Sequence, residues 1–305
     1  MSGAAPPAGV TRDHVLARYT TVRTGGPAQF FARGGSEERL AELLAWAAGA
    51  GWEVAVVGSG SNLLVADEGV RGLVLKLDEG LARIEDRGGG LLECGGAARL
   101  PAVAAHASRL GLTGIEFGVN IPGTVGGAVR MYANAYDGQL AAVLDWVVVV
   151  DGAGTTRRAP AQLGFGYRRS NLRPGEIVSR AQFALRPADP ARVRATLADM
   201  RARRRAAQPS GIRTFGSTFK NPEGQRSAGL LLAEAGCQGL RVGDVRFSPK
   251  HANFVENLGA ARTADVVALM GEGRRRVLER FGVALEREVQ ALGPVRFPWE
   301  PPTGV

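Results

Sequence analysis

Three features of the sequence predict an α+β fold in two parts. Apolar runs of strand length alternate with amphipathic segments of helix length, the strands are short and irregularly placed, and no repeat of fixed period links them. The chain has 305 residues, about twice an ordinary domain, so two domains, or one core with an appended module, are expected. Hydrophobic residues make up 45% and charged residues 22%. That balance can bury a core and excludes collagen-like, coiled-coil and wholly disordered chains.

The elements follow from local signals. A first helix is predicted over about 37–48: Ser36 stands where an N-cap is needed, Glu37 and Glu38 suit the positive end of the helix dipole, and Leu40, Leu43, Leu44 and Ala47 share one face. A buried strand over 54–57 then enters a glycine turn. Short strands are predicted at 73–77, 82–85 and 91–94, before a helix over about 100–110 that Gly111 ends. Further strands fall at 143–150 and 177–185. Asp189-Pro190 reads as N-cap and first helical residue of a helix running to about Arg205, and the main boundary is placed just before it. Beyond lie a loop over 208–222, a short helix over 228–235 closed by Gly236, a strand over 252–256, a last helix capped by Thr263 and stopped at Gly282, and an alternating segment over 283–289.

The net charge of +9 raises the possibility of a nucleic-acid partner. Only three of the 38 basic residues are lysines, Lys76, Lys220 and Lys250, and Asn is scarce as well. The excess of Arg therefore reads as a compositional bias rather than a selected basic surface. Residues kept against the bias mark places where nothing else serves, and the pairs Lys220-Asn221 and Lys250 with Asn253 point to a site late in the chain. Arg201, Arg203, Arg204 and Arg205 fall near the end of a predicted helix, where cations favour the dipole, and no aromatic stacking platform accompanies them. No nucleic-acid partner is expected. Cys94 and Cys237 lack metal-ligand spacing and read as buried thiols, so no metal is expected either. No apolar run is long enough to span a membrane, and residues 1–10 lack the pattern of a signal peptide. A cytoplasmic protein without a membrane partner is expected.

Gly accounts for 43 of the 305 residues, clustered in turns rather than spread as a linker. The first cluster, Gly58-Ser59-Gly60-Ser61-Asn62, follows a predicted strand, so it must be tested against the dinucleotide fingerprint. It fails: Leu63 stands where the third glycine belongs, and Leu63-Leu64-Val65 reads as extended rather than as a helix start. No Gly-Lys-Ser/Thr exists for a P-loop. The turn can still cradle an anion through converging backbone N–H groups and hydroxyls, although by itself a structural hairpin is the more economical reading. The second cluster spans Gly118 to Ala128. Pro122-Gly123 suits a tight turn, and Gly126-Gly127 removes two side chains where backbone would approach something flat and large. Two such loops suit a ligand with a pyrophosphate and a planar ring; the alternative is two turns packed on each other.

Six stretches then carry a family resemblance: VVGSGSNLLVADEGVRGLVLKL (56–77), GIEFGVNIPGTVGGAVRM (114–131), FGYRRSNL (165–172), FGSTFKNP (215–222), SPKHANFVEN (248–257) and LEREV (285–289). In order and spacing, from about Thr20 to Gly293, the chain resembles the UDP-N-acetylenolpyruvoylglucosamine reductases (the MurB family). The resemblance implies an FAD-binding portion of the vanillyl-alcohol-oxidase or PCMH type over 19–188 and a smaller α+β substrate-binding portion over 189–293; residues 1–18 are left as an N-terminal extension, and the Pro-rich tail over 294–305, which matches nothing in the family, is expected to be loop. It implies noncovalent FAD held at Gly58, Ser59, Gly60, Ser61 and Asn62 and at Pro122, Gly123, Thr124, Gly126, Gly127 and Ala128. NADPH reduces the flavin, and UDP-N-acetylglucosamine enolpyruvate then becomes UDP-N-acetylmuramate, a peptidoglycan precursor. A monomer is expected.

The same resemblance assigns roles that the residue types can fill. Arg168 matches the arginine that stabilises the enolate, a task suited to a planar guanidinium; its neighbour Arg169 is expected to be solvated. Ser217 matches the serine that protonates the enolate, and Glu288 the carboxylate that assists; alternation would put Glu286 on the same face as Glu288. Tyr136, Lys220 and Asn221 match or suit contacts to the anionic substrate. His251 is expected in structural support. The chain departs from the family pattern at Tyr132, where Asn is usual, and at Asp137, where Gly is usual, and it looks like the shorter type that lacks an extra loop in the substrate portion. Two other readings remain open at this stage: a flavin oxidase of the same fold and, more remotely, a basic nucleic-acid-binding protein.

Overall fold

The computed structural model describes residues 5–301. Residues 1–4 of the expected extension and 302–305 of the expected tail lie outside the described residues. The chain packs as two compact units. The first takes the residues up to Arg12, Phe30–Ser59 and Arg71–Arg204; the second takes Asp13–Gln29, Gly60–Val70 and everything from Arg205 on. The second unit is thus assembled from three stretches, where the sequence suggested continuous portions meeting just before Asp189. The first unit also keeps most of the helix after Asp189, because Val193 and Leu197 of that helix are buried and Leu197 joins the first unit's core.

A five-stranded antiparallel sheet organises the first unit, in the order Gly154–Arg158, Leu144–Asp151, Ile177–Ala184, Leu91–Gly95, Ile84–Gly88. Leu92, Cys94, Val147, Val149, Ala181 and Phe183 are buried in one core with Leu100, Val103 and Ala107 of a helix at Leu100–Arg109. Helix α1, Glu37–Gly49, starts where the sequence places it: Ser36 accepts a bond from the Arg39 N–H, and Leu40, Leu43, Leu44 and Ala47 are buried. They pack with Leu73 and Leu75 in a second cluster. The strand Val54–Val57 runs parallel to Val70–Leu77 with Val54 opposite Leu73. It is half-buried rather than buried until Val57, because it sits at the edge of its sheet. The helix Leu100–Arg109 is α2.

The second glycine cluster is not a loop throughout. Val125–Arg130 forms a short helix, α3, with Thr124 as N-cap. Helix α4, Pro190–Ala207, opens as expected, with Asp189 Oδ1 accepting from the Ala191 N–H at 2.8 Å.

The second unit packs α5, Ala228–Glu234, and α6, Thr263–Phe281, with a four-stranded antiparallel sheet ordered Arg213–Thr214, Val255–Asn257, Val245–Phe247, Arg241–Val242. Phe215, Phe219, Leu232, Phe247, Val266 and Met270 form its core. The strand expected at 252–256 is shorter because residues 251–254 turn, with the Phe254 N–H bonded to the His251 carbonyl. Thr263 is the first helical residue of α6, not its cap. Its hydroxyl lies 2.5 Å from the Val65 carbonyl and 2.9 Å from the Thr24 hydroxyl, while the Asp67 carboxylate accepts from the Thr263 and Ala264 N–H groups at 2.8 and 2.9 Å. Residues 283–289 form no continuous strand; only Gln290–Leu292 does, parallel to Leu63–Val65. The expected tail is anchored where it is described: Phe297 is buried in the same core, and Arg287 bonds Glu300 at 2.8 Å.

Candidate active site

The residues of the second unit are drawn together by backbone pairing. The Glu288 N–H bonds the Thr218 carbonyl at 2.8 Å, the Lys220 N–H bonds the Glu286 carbonyl at 2.8 Å, and Phe219 bridges Arg287 between them. Ser217 therefore stands beside the segment that carries Glu288. Both residues are half-buried. The Gly216 N–H bonds the Ser61 carbonyl at 2.9 Å, and the Gln290 N–H bonds the Asn62 carbonyl at 2.9 Å. Asn62 also donates its amide to the Glu288 carbonyl at 3.2 Å. The residues from Gly60 to Asn62 of the first glycine turn are in this way structural neighbours of Ser217 and Glu288. Gly60 itself is confined: at φ +66 its position suits glycine, and a Cβ would collide with the Tyr19 carbonyl.

A residue that the sequence flags only as one of the scarce asparagines fixes this loop. Asn253, buried, accepts from the Phe219 N–H and donates to the Phe219 carbonyl, both at 2.9 Å, while its own carbonyl accepts from the Thr218 N–H and hydroxyl. Lys220 reaches Glu286 at 3.1 Å, and the Asn221 side-chain oxygen accepts from the Ala228 N–H at 3.0 Å. Asn221 is exposed, and its side-chain oxygen closes the start of α5. Glu286 is 77% exposed at its side chain and Glu288 is half-buried, which separates the two acids that alternation alone could not.

The first unit supplies a cavity of about 70 Å³ whose lining includes Gly58, Lys76, Thr124, Gly126, Gly127 and Arg130. Lys76 donates to the Gly58 carbonyl at 2.5 Å; burial first, and then the charges of Arg33 and Arg99, hold its pKa below the ordinary lysine value. Burial likewise lowers the Arg130 pKa, with the charge of Glu176 opposing. A Cβ at Gly58 would stand 2.9 Å from the Thr124 hydroxyl, and one at Gly126 would stand 3.2 Å from the Gly96 and Val178 carbonyls. Glycine keeps this space open. The cavity joins two cations to glycine-lined backbone, and Glu176 on its wall is matched by Arg158 at 2.6 and 3.2 Å. These residues fit a dinucleotide with an anionic pyrophosphate. Pro122, Gly123 and Ala128 belong to the approach to α3 and its first turns; the Leu100 N–H bonds the Gly123 carbonyl, and Ala128 is buried. Ser59 is half-buried beside Gly58.

Arg168 stands in a tight turn closed by two backbone bonds between Gly166 and Arg169, at 3.0 and 3.1 Å. Its φ of 57° is left-handed, a conformation that costs an ordinary residue roughly 1–2 kcal/mol. Its guanidinium lies 5.3 Å from the Tyr167 ring centre, and the residue is half-buried, whereas Arg169 is exposed as expected. The Tyr136 hydroxyl takes a bond from Asn120 at 2.9 Å and is 3.3 Å from the Met200 carbonyl. The departures Tyr132 and Asp137 both fall at positive φ, 43° and 62°, where Asn and Gly are the easier residues.

The remaining expectations are resolved by packing. His251 faces Phe254 edge-on at 4.9 Å and accepts from the Asn253 N–H at 3.3 Å, and burial lowers its pKa. It braces the loop, as expected. Both cysteines are buried thiols; burial, with the charge of Glu93, pushes Cys94 up to about 12. The basic end of α4 is used internally in part: Arg203 pairs with Asp199 at 2.7 Å, and Arg204 donates to the Asn120 carbonyl. No described helix is long and apolar enough to cross a membrane.

A glycine-lined cavity carrying two cations and, separately, a loop that sets Ser217 beside Glu288 suit a flavoprotein, and the family comparisons point to the same class. Residues 28–160 match the FAD binding domain family, and residues 208–292 match the family described as UDP-N-acetylenolpyruvoylglucosamine reductase, C-terminal domain. The chain is 45% identical over 298 residues to UDP-N-acetylenolpyruvoylglucosamine reductase 2 of Symbiobacterium thermophilum, covering 97% of this chain and 96% of that one. It is 46% identical to the reductase of Anaeromyxobacter dehalogenans, covering 92% and 85%. The solved structure of the reductase (MurB) from Thermus caldophilus superposes with a TM-score of 0.80 at 38% identity, covering 93% of this chain and 98% of that one. The chain belongs to the UDP-N-acetylenolpyruvoylglucosamine reductase family.

Proposed function

We propose that this protein reduces the enolpyruvyl group of UDP-N-acetylglucosamine enolpyruvate to give UDP-N-acetylmuramate, with NADPH as reductant. Bound FAD supplies the hydride relay between the two substrates. The observation that carries the reading is the pairing of the Ser217 loop with the Glu288 segment, inside the part of the chain that matches the reductase C-terminal domain.

The chain's own residues divide the remaining work. Gly58, Ser59, Gly60, Ser61 and Asn62, with Pro122, Gly123, Thr124, Gly126, Gly127 and Ala128, hold the cofactor; Lys76 and Arg130 add positive charge to the glycine-lined cavity. Addition of hydride to the substrate's vinyl carbon leaves negative charge delocalised into the adjoining carboxylate. Arg168 binds that carboxylate side-on and stabilises the enolate. The Ser217 hydroxyl delivers a proton to the carbon bearing the ether oxygen, and Glu288 assists at that stage. Tyr136, Lys220 and Asn221 bind the uridine diphosphate part, for which an ammonium and an amide are suited. All of these roles fall within one chain, so a monomer is the working form, and we place it in the cytoplasm, where both substrates are made.

The test is the visible spectrum of the purified protein under anaerobic conditions. Flavin bands should bleach with NADPH and return on addition of UDP-N-acetylglucosamine enolpyruvate. Return with oxygen but not with that substrate would replace the reading with an oxidase of the same fold.

A further inference from the structure

The turn that carries Arg168 is held in a strained conformation, and both of its arms are tied to the segment that leaves α3. On one arm Phe165 stacks on Tyr132, ring centres 4.4 Å apart and planes 13° from parallel. On the other, the Ser170 hydroxyl donates to the Arg130 carbonyl at 2.8 Å. The Arg130 side chain continues the clamp, donating to the Leu172, Arg173 and Glu176 carbonyls at 3.4, 3.0 and 2.9 Å. Tyr132 is itself fixed: its hydroxyl donates to Gln139 at 3.1 Å, and its φ is 43°. A left-handed residue is the less convenient way to place an aromatic ring, so the ring must repay that cost through its contact.

We propose that Tyr132 is a positioning residue for Arg168, acting through its stack on Phe165. The inference rests on the function proposed above. The Gly166–Arg169 bonds close the turn itself, and its two arms set where the turn sits; loosening an arm displaces the guanidinium from the place where enolate charge develops. Only the step that uses Arg168 should feel the change. Reduction of the flavin by NADPH should not.

The experiment uses the FAD-loaded full chain and follows the two half-reactions separately by stopped flow. Tyr132→Asn removes the ring and keeps a residue that tolerates the left-handed conformation. We expect reoxidation by the enolpyruvyl substrate to slow roughly three- to tenfold, the worth of one aromatic pair, with flavin reduction by NADPH within about twofold of the parent. Tyr132→Phe, which keeps the ring, should restore the rate. In an Arg168→Lys background the same Tyr132→Asn change should have no further effect. Ser170→Ala, loosening the other arm, should reproduce the selective loss even if Tyr132→Asn fails to fold. Equal slowing of both half-reactions, failure of Tyr132→Phe to rescue, or an undiminished effect in the Arg168→Lys background would overturn the proposal. A parent protein that bleaches with NADPH but never reoxidises with the substrate would instead overturn the function itself, and this inference with it.

Discussion

Replacing Ser217 by Ala should separate chemistry from stability. The backbone around Ser217 is held by groups other than its side chain: Gly216 by Ser61, Thr218 by Asn253 and Glu288, and Phe219 by the Asn253 amide. Among the described residues the Ser217 hydroxyl itself makes no hydrogen bond within the protein. Its removal should therefore change the unfolding free energy by less than about 0.5 kcal/mol, as for a surface substitution free of structural contacts. A positioned general acid contributes about 10²–10⁴ in rate, equivalent to roughly 3–5.5 kcal/mol of transition-state stabilisation. The assay is anaerobic stopped flow in the visible flavin band, with the flavin reduced by NADPH in one experiment and reoxidised by UDP-N-acetylglucosamine enolpyruvate in the other. Reduction should be unchanged and reoxidation slowed by that factor, with the thermal midpoint within a degree or two of the parent. Equal loss in both half-reactions, or a lowered thermal midpoint that accounts for the lost activity, would refute the assignment.

Other parts of the structure make equally definite claims. Asn253→Ala strands the buried N–H and carbonyl of Phe219 and should cost about 2–4 kcal/mol in a denaturant titration, together with activity, because the Ser217 loop loses its pin. Asp67→Ala removes the distant cap of α6 and should cost about 1–2 kcal/mol by the same measurement, with Asp67→Asn losing less. Glu176 has its pKa lowered, chiefly by its bond from Arg158 and then by the Arg173 N–H, against an opposing cost of burial. Its stabilising contribution is complete above the ordinary carboxylate range and is lost as pH falls through that range toward the depressed value. The thermal midpoint should therefore drop on acidification below about pH 4, and Glu176→Gln, less stable at neutral pH, should show a shallower drop.

Much of this protein was settled by local chemistry. Ser36 ahead of two acids and a leucine face makes α1, Asp189-Pro190 makes the start of α4, and Gly282, at φ 70°, stops α6; each needs only neighbours in the chain. The order of the motifs was enough to point to the family, and the family reading named Arg168, Ser217 and Glu288. What the sequence could not contain was contact at long range. Thr263 reads as a cap, yet the capping carboxylate comes from Asp67, almost two hundred residues away, and frees the threonine hydroxyl for Val65 and Thr24. The packing of the units follows the same rule: Gly60–Val70 lies early in the chain, yet its strand Leu63–Val65 pairs with Gln290–Leu292. Glu286 and Glu288 look alike on an alternating pattern until Lys220 claims one of them. Tyr132 reads as a departure until Phe165 is found stacked on it. Capping, periodicity and turn chemistry act over a few residues and are written in the sequence; pairing register, distant caps and ring contacts depend on which surfaces meet, and only folding decides that.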